Sequence, residues 1–101
     1  MKIAHAAIRE KNSPYKIFMG KCHRDCFLKY HTMNPNVEDG FVTDEGNFVT
    51  CKTAALVAFL AGQVDNFEDS LYSEMLWSPQ NNGKHDYNPE TGYFLKTGEQ
   101  K

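Results

Sequence analysis

Short runs of apolar and polar residues change period twice along the first two thirds of the chain. Residues 2–10 (KIAHAAIRE) and 15–21 (YKIFMGK) are β-prone runs on either side of Lys11-Asn12-Ser13-Pro14, a polar cluster closed by Pro. This pattern predicts a β-hairpin. From His23 to Met33 the period lengthens, and Cys26, Phe27, Tyr30 and Met33 recur at spacings of three and four, the stripe of a three-turn helix. Asn34-Pro35-Asn36 ends it, because the residue before Pro is pushed out of the α region. Gly40-Phe41-Val42-Thr43 and Asn47-Phe48-Val49-Thr50 then bracket Asp44-Glu45-Gly46, a second hairpin with a glycine turn. Strict alternation there sends Phe41 and Thr43 to one face and Val42 to the other.

Thr50 stands where an N-cap belongs, ahead of CKTAALVAFLAG. Residues Ala54 to Ala61 are apolar on every face, which predicts a helix buried on all sides and ended by Gly62 in a left-handed cap. Between Val64 and Trp77 the acids Asp65, Glu68, Asp69 and Glu74 interleave with Phe67, Leu71, Tyr72, Leu76 and Trp77, a short helical or turn-rich segment packed by its aromatic rings. Ser78-Pro79-Gln80-Asn81-Asn82-Gly83 reads as a linker. Tyr87, Tyr93, Phe94 and Leu95 beyond it predict an extension that is partly ordered or docked. The expected fold is a small single α+β domain over residues 1–77, an antiparallel sheet from two β-hairpins each followed by a helix (ββαββα), with a C-terminal extension at 78–101. The two halves share no identity that would make them a repeat.

Length and charge narrow the function. A chain of 101 residues buries only about two-thirds of its unfolded surface, so assembly into a homo-oligomer is expected. Eleven Lys and Arg against thirteen Asp and Glu leave a formal charge of −2, which argues against a general binder of duplex nucleic acid. Only Arg9 and Arg24 among the cations are Arg, the side chain whose planar fork suits phosphate. No apolar stretch approaches a membrane span or a signal-peptide core, so an intracellular protein with reduced thiols at Cys22, Cys26 and Cys51 is expected.

Candidate chemistry is densest at Cys22-His23-Arg24-Asp25-Cys26, with His31 and Cys51 elsewhere. Three Cys and a His can hold structural zinc, although the four-residue step from Cys22 to Cys26 is not the tight two-residue turn of a knuckle. The same segment can hold an anion, because His23 and Arg24 at a helix amino end bring donors and positive charge together. The alternative is a solvated Arg24–Asp25 pair with His23 as a cap. A Cys–His nucleophile is disfavoured, since adjacent helical residues point about 100° apart. In the second hairpin an exposed ring, Phe41 or Phe48, can stack on a base, whereas Asn47 serves the turn. Lys52 and Thr53, in the first turn of the next helix, either offer donors to a ligand or face water.

Four stretches in this order, 20–26 (GKCHRDC), 40–50 (GFVTDEGNFVT), 54–63 (AALVAFLAGQ) and 71–77 (LYSEMLW), resemble a family of small bacteriophage and prophage proteins over residues 2–77. Within it stand the Thoeris anti-defence "sponge" proteins, which bind the cyclic ADP-ribose-type signal of a host TIR-domain enzyme. The resemblance implies a non-catalytic, oligomeric, host-cytoplasmic protein that needs no cofactor and encloses a cyclic nucleotide-type molecule. Phe48 would stack on the base, His23 and nearby donors would hold phosphate or ribose, and the Leu71–Trp77 segment would close a pocket wall, so the expected ligand-binding residues are His23, Arg24, Phe41, Asn47, Phe48, Lys52 and Trp77. Cys22 stands where the resemblance leads one to expect Arg, Thr50-Cys51 where it leads one to expect Asp-Arg, and Met75 where it leads one to expect Asp. Those departures remove charge-assisted hydrogen bonds that usually grip a pyrophosphate. A competing reading is an inhibitor of a host protein, with Phe67, Tyr72 and Trp77 forming an aromatic and acidic surface; a zinc-stabilised domain is a third.

Overall fold

The computed structural model describes residues 1–12, 14–30 and 36–96. Strand β1 (Ile3–Glu10) pairs antiparallel with β2 (Ile17–Gly20), and helix α1 (His23–Tyr30) follows. Strand β3 (Val37–Thr43) pairs with β4 (Phe48–Thr50), and helix α2 (Cys51–Leu60) begins at once. The two hairpins join through β1 and β3 into one antiparallel sheet of order β2-β1-β3-β4. A short helix α3 (Glu74–Trp77), a 3-10 turn (Pro79–Asn81) and a hairpin of β5 (His85–Asn88) and β6 (Gly92–Leu95) complete the fold. This is the expected ββαββα order, with a C-terminal hairpin added. His31, Met33 and the stop at Asn34-Pro35 lie outside the described residues, as does Ser13 of the first turn.

Register explains the core. Ala6, Phe41 and Val49 stand side by side across β1, β3 and β4 and so share one face of the sheet. That face is covered by Cys26 of α1 and by Ala54, Ala55 and Ala58 of α2, with Leu71 and Leu76 filling the margin. Small residues let α2 lie close to the strands. The price of that approach is a correction: α2 is not buried on all sides, because its large residues Leu56, Phe59 and Leu60 point away from the sheet and are exposed. Leu71 and Leu76 are the buried residues of the following segment and Trp77 packs half-buried against the core, whereas Phe67 and Tyr72 are exposed. Val42, on the opposite face from Phe41, is buried too, flanked in register by His5 and Phe48.

Thr50 caps α2 through its hydroxyl, which accepts from the Thr53 amide at 3.2 Å. At the other end Gly62 has φ +75°, and the amides of Gly62 and Gln63 donate to the Phe59 and Ala58 carbonyls at 3.1 and 2.8 Å. This reversal aims the Gln63 side chain at the first residue of β1. Its Oε1 accepts from the Ile3 amide at 2.8 Å and its Nε2 donates to the Ile3 carbonyl at 2.9 Å, all in a buried setting.

The C-terminal hairpin docks beside the amino-terminal half of β1, past the end of β2. Gly92 lies against Ala4 so closely that a Cβ there would overlap the Ala4 carbonyl. Tyr93 is buried in the core and its hydroxyl donates to the Lys21 carbonyl. Tyr87 meets His5, Oη to Nδ1 at 2.6 Å. Burial, helped by Lys29, holds His5 below its ordinary value, and burial pushes the Tyr87 phenol up to about 12. The two groups share one proton-mediated contact whose direction follows the His5 tautomer.

Gln63→Ala strands two buried backbone groups of Ile3 and should cost about 2–5 kcal/mol in denaturant unfolding, whereas a cost below about 1 kcal/mol would show that water replaces the carboxamide. His5 and His85 are both depressed by burial in the fold and return towards 6.5 when it opens. Their stabilising contribution is therefore complete above pH 6.5 and is lost as pH falls towards the folded values. Melting temperature followed from about pH 8 to about pH 5 should stay level and then drop below about 6.5, and a rise on acidification would contradict the assignment.

Candidate functional site

Gly40 is the point where several sequence-predicted residues meet. Its pairing places Thr50 on one side and Ala7 on the other, in the middle of the sheet. A Cβ at this position would overlap the Phe48 ring and the Val49 carbonyl, so the absence of a side chain lets the ring come against the strand. The Gly40 carbonyl accepts from Nε2 of His23 at 2.8 Å, which pins the first residue of α1 to β3. The same imidazole packs edge-on against Phe41, with centroids 5.1 Å apart. Phe41 is fully buried, so it supports His23 from within the core and offers no ring face to solvent.

Phe48 occupies the other face of the sheet, together with Val42, Gly40 and Glu38 of β3 and Ala7 and Arg9 of β1. Arg9 and Glu38 are cross-strand partners, joined Nη2 to Oε1 at 2.6 Å. The Arg9 guanidinium carbon stands 4.4 Å from the Phe48 ring centroid. Being partly exposed, the ion pair contributes little to stability, but it holds the guanidinium over the ring. Ile17 and Met19 of β2 extend this face and are exposed. Phe48 is half-buried beneath its cation, so it is neither the fully exposed ring that could stack freely on a base nor a core ring like Phe41.

The remaining predicted residues do not join Phe48. Trp77 is half-buried and lies under Lys21, whose Nζ is 4.3 Å from the ring centroid, while its own buried Nε1 has no hydrogen-bond partner among the described residues. Arg24 is exposed on α1, and among the described residues it forms no ion pair with Asp25 or any other acid. Asn47 closes the hairpin turn, its carbonyl accepting from the Thr43 amide at 2.9 Å and its amide donating to Thr43 Oγ1 at 3.3 Å. Lys52 is exposed in the first turn of α2. A cleft of about 510 Å³ opens between α1 and the β5–β6 turn, lined by Leu28, Lys29, Tyr87 and Pro89 among others. A smaller cavity of about 140 Å³ lies among Asp65, Asn66, Glu68, Met75 and Asn81. Neither is lined by His23, Phe48 or Trp77.

Two of the three thiols, Cys26 and Cys51, are poorly placed for chemistry. Cys26 is buried with Sγ 3.5 Å from the Ala6 carbonyl, and burial pushes its thiol up to about 12. Burial likewise raises Cys51, with Asp39 adding to the effect. All three Cys are free, and among the described residues no group of three or more His, Cys, Asp or Glu is arranged to hold a metal ion. His31, the other candidate ligand, lies outside those residues. No helix among the described residues is long and apolar enough to cross a membrane.

Sequence reasoning missed the pairing of Arg9 with Phe48 and Glu38. Arg9 stood out for its rarity alone, and the β3 strand begins at Val37, three residues before the run that marks it in the sequence. Extending that run would have set Glu38 opposite Arg9, a complementary cross-strand pair.

The phage T4 y16D protein family matches residues 2–77, and the chain belongs to it. No curated protein and no solved structure matches the chain.

Gly40→Ala should destabilise the fold by about 1–3 kcal/mol and displace the Phe48 ring, seen as a lower denaturation midpoint and altered aromatic NMR shifts. A variant with the wild-type midpoint and unshifted ring signals would contradict the close approach.

Proposed function

We propose that this member of the phage T4 y16D protein family binds and sequesters a cyclic nucleotide-type immune signal in the host cytoplasm, without turnover. The reading rests on the resemblance to the Thoeris anti-defence sponge proteins and on one observation, the Arg9–Phe48 stack held on the partly open face of the sheet. A guanidinium plane backed by a ring and fixed by Glu38 offers a base a surface to stack on and turns N–H donors towards phosphate. In this reading Arg9 supplies charge of the kind the departures at Cys22 and Cys51 remove. His23 and Phe41 act as positioning residues, holding β3 and so the floor at Gly40. Raised thiols at Cys26 and Cys51 favour binding over covalent chemistry.

A second reading, inhibition of a basic host protein, draws on the exposed Phe67 and Tyr72 beside Glu68 and Asp69. It is the weaker of the two for Trp77, which is half-buried under Lys21 instead of presented to a partner.

Thermal shift and calorimetric titration against cyclic ADP-ribose isomers and cyclic oligonucleotides separate the two. At about 0.1 mM a micromolar ligand should stabilise the chain by roughly 2.7 kcal/mol and be recovered chemically unchanged. Phe48→Ala should weaken binding by about 1–3 kcal/mol, and Arg9→Lys should fail to restore what Arg9→Ala loses, because Lys lacks the stacking plane. No stabilisation by any member of the panel would sink this reading, and retention of a basic host protein by the chain would then favour the second.

A further inference from the structure

The cleft of about 510 Å³ between α1 and the β5–β6 turn takes no part in the Arg9–Phe48 stack. Asp25, Leu28 and Lys29 stand at i, i+3 and i+4 of α1 and so share the face of the helix that borders it. Cys26 enters the core from the same helix, whereas Leu28 is 63% exposed, an apolar side chain that the core leaves unused. Tyr87 and Pro89 form the opposite wall. The Tyr87 ring is fixed there by Oη against His5 Nδ1 at 2.6 Å and by an edge-on approach to buried Tyr93, with centroids 5.0 Å apart. An immobilised ring facing an exposed leucine supplies the apolar part of a small-molecule site. Tyr87 and Pro89 lie beyond residues 2–77, so the cleft is not contained in the part of the chain that matches the family.

Lys21, Asp25 and Lys29 also line the cleft, and among the described residues none of them forms an ion pair. Asp25 and Lys29 have the spacing at which an acid and a base on a helix join. Lys29 Nζ donates instead to the Met19 carbonyl, which leaves the half-buried Asp25 carboxylate without a counter-ion. Lys21 Nζ lies over the Trp77 ring, so its N–H donors have no anion either. We propose that this cleft binds a free α-amino acid with a large apolar side chain. Its ammonium donates to Asp25, its carboxylate accepts from the Lys29 and Lys21 ammonium groups, and its side chain lies between Leu28 and Tyr87. A purely anionic ligand meets Asp25 as a like charge and a purely cationic one meets two lysines, whereas a zwitterion answers both signs. The nucleotide reading uses Arg9, Glu38 and Phe48, none of which lines this cleft, so the two proposals stand apart.

NMR titration of the full, isotope-labelled chain with L-phenylalanine tests it. Backbone amide signals of Asp25, Leu28, Lys29 and Tyr87 should shift and fit a dissociation constant of about 0.1–1 mM, the range for a ligand of about twelve non-hydrogen atoms. N-acetyl-L-phenylalanine has no ammonium and resembles a peptide carboxyl terminus, while L-phenylalaninamide has no carboxylate and resembles an amino terminus. Each should bind at least about 10-fold more weakly, and glycine should cause no shift. Asp25→Asn should weaken L-phenylalanine at least about 10-fold and leave N-acetyl-L-phenylalanine unchanged. Leu28→Ala, at a side chain mostly outside the core, should weaken L-phenylalanine about 5-fold with an unchanged circular dichroism spectrum. No shift at about 10 mM, shifts confined to other residues, or full affinity in Asp25→Asn or Leu28→Ala would each overturn the proposal. Equal or tighter binding of either blocked analogue would also overturn it and leave the cleft to a peptide terminus. Nucleotide titration followed at Arg9 and Phe48 reads the sheet-face site separately.

Discussion

The two hydrogen bonds from the Gln63 carboxamide to Ile3 hold the end of α2 against the start of β1, and most of the tertiary arrangement depends on that join. A primary amide carries a donor and an acceptor on one carbon, so it can satisfy a peptide group as a neighbouring strand would. At Ile3 the sheet has β3 on one side and no β2 on the other, because β2 pairs only from Ala6 onward. The buried peptide groups there need partners from elsewhere. Gly62 provides the reversal that brings Gln63 to them, since its positive φ carries little steric penalty without a Cβ. With the helix tied at this end and capped by Thr50 at the other, α2 has one orientation over β3 and β4.

That orientation fixes which side chains have room. Ala54, Ala55 and Ala58 share the core with Ala6 and with Phe41, whose ring is fully buried. The opposite face follows the same economy of volume, with Ala7 and Gly40 forming a floor for Phe48 and its guanidinium. His23, drawn to the Gly40 carbonyl, couples the two sides of β3 through a single residue.

Most of the fold was legible because its signals are local. The hairpins, the Thr50 cap and the Gly62 stop are each written within about six residues and depend little on the rest of the chain. What was not legible depends on distant partners. Apolar residues on every side of α2 could not say which side would be covered, and the answer came from side-chain volume against the sheet. The sequence 87–93 (YNPETGY) holds a Pro–Gly turn between tyrosines, yet its docking is decided by Ala4, His5 and Lys21 at the other end of the chain. At the candidate site, Phe48 and His23 were found from their neighbours in sequence, whereas Arg9 and Glu38 came together only through the β1–β3 register. Trp77, Arg24, Asn47 and Lys52 each had a plausible ligand role, and the contacts assign each a different neighbourhood.

The docked C-terminal hairpin also bears on how the chain is made. Tyr93 enters a core whose first wall is β1, so β6 completes a layer that β1 begins. Until residue 93 emerges, Ala4 and His5 lack their covering partners and the Lys21 carbonyl lacks its donor. Contacts that span nearly the whole length slow the final closure relative to the local hairpins, because the ends must find each other before the gain is realised. Native packing therefore waits for the C-terminal hairpin, and a chain stopped short of residue 93 carries an unfinished core.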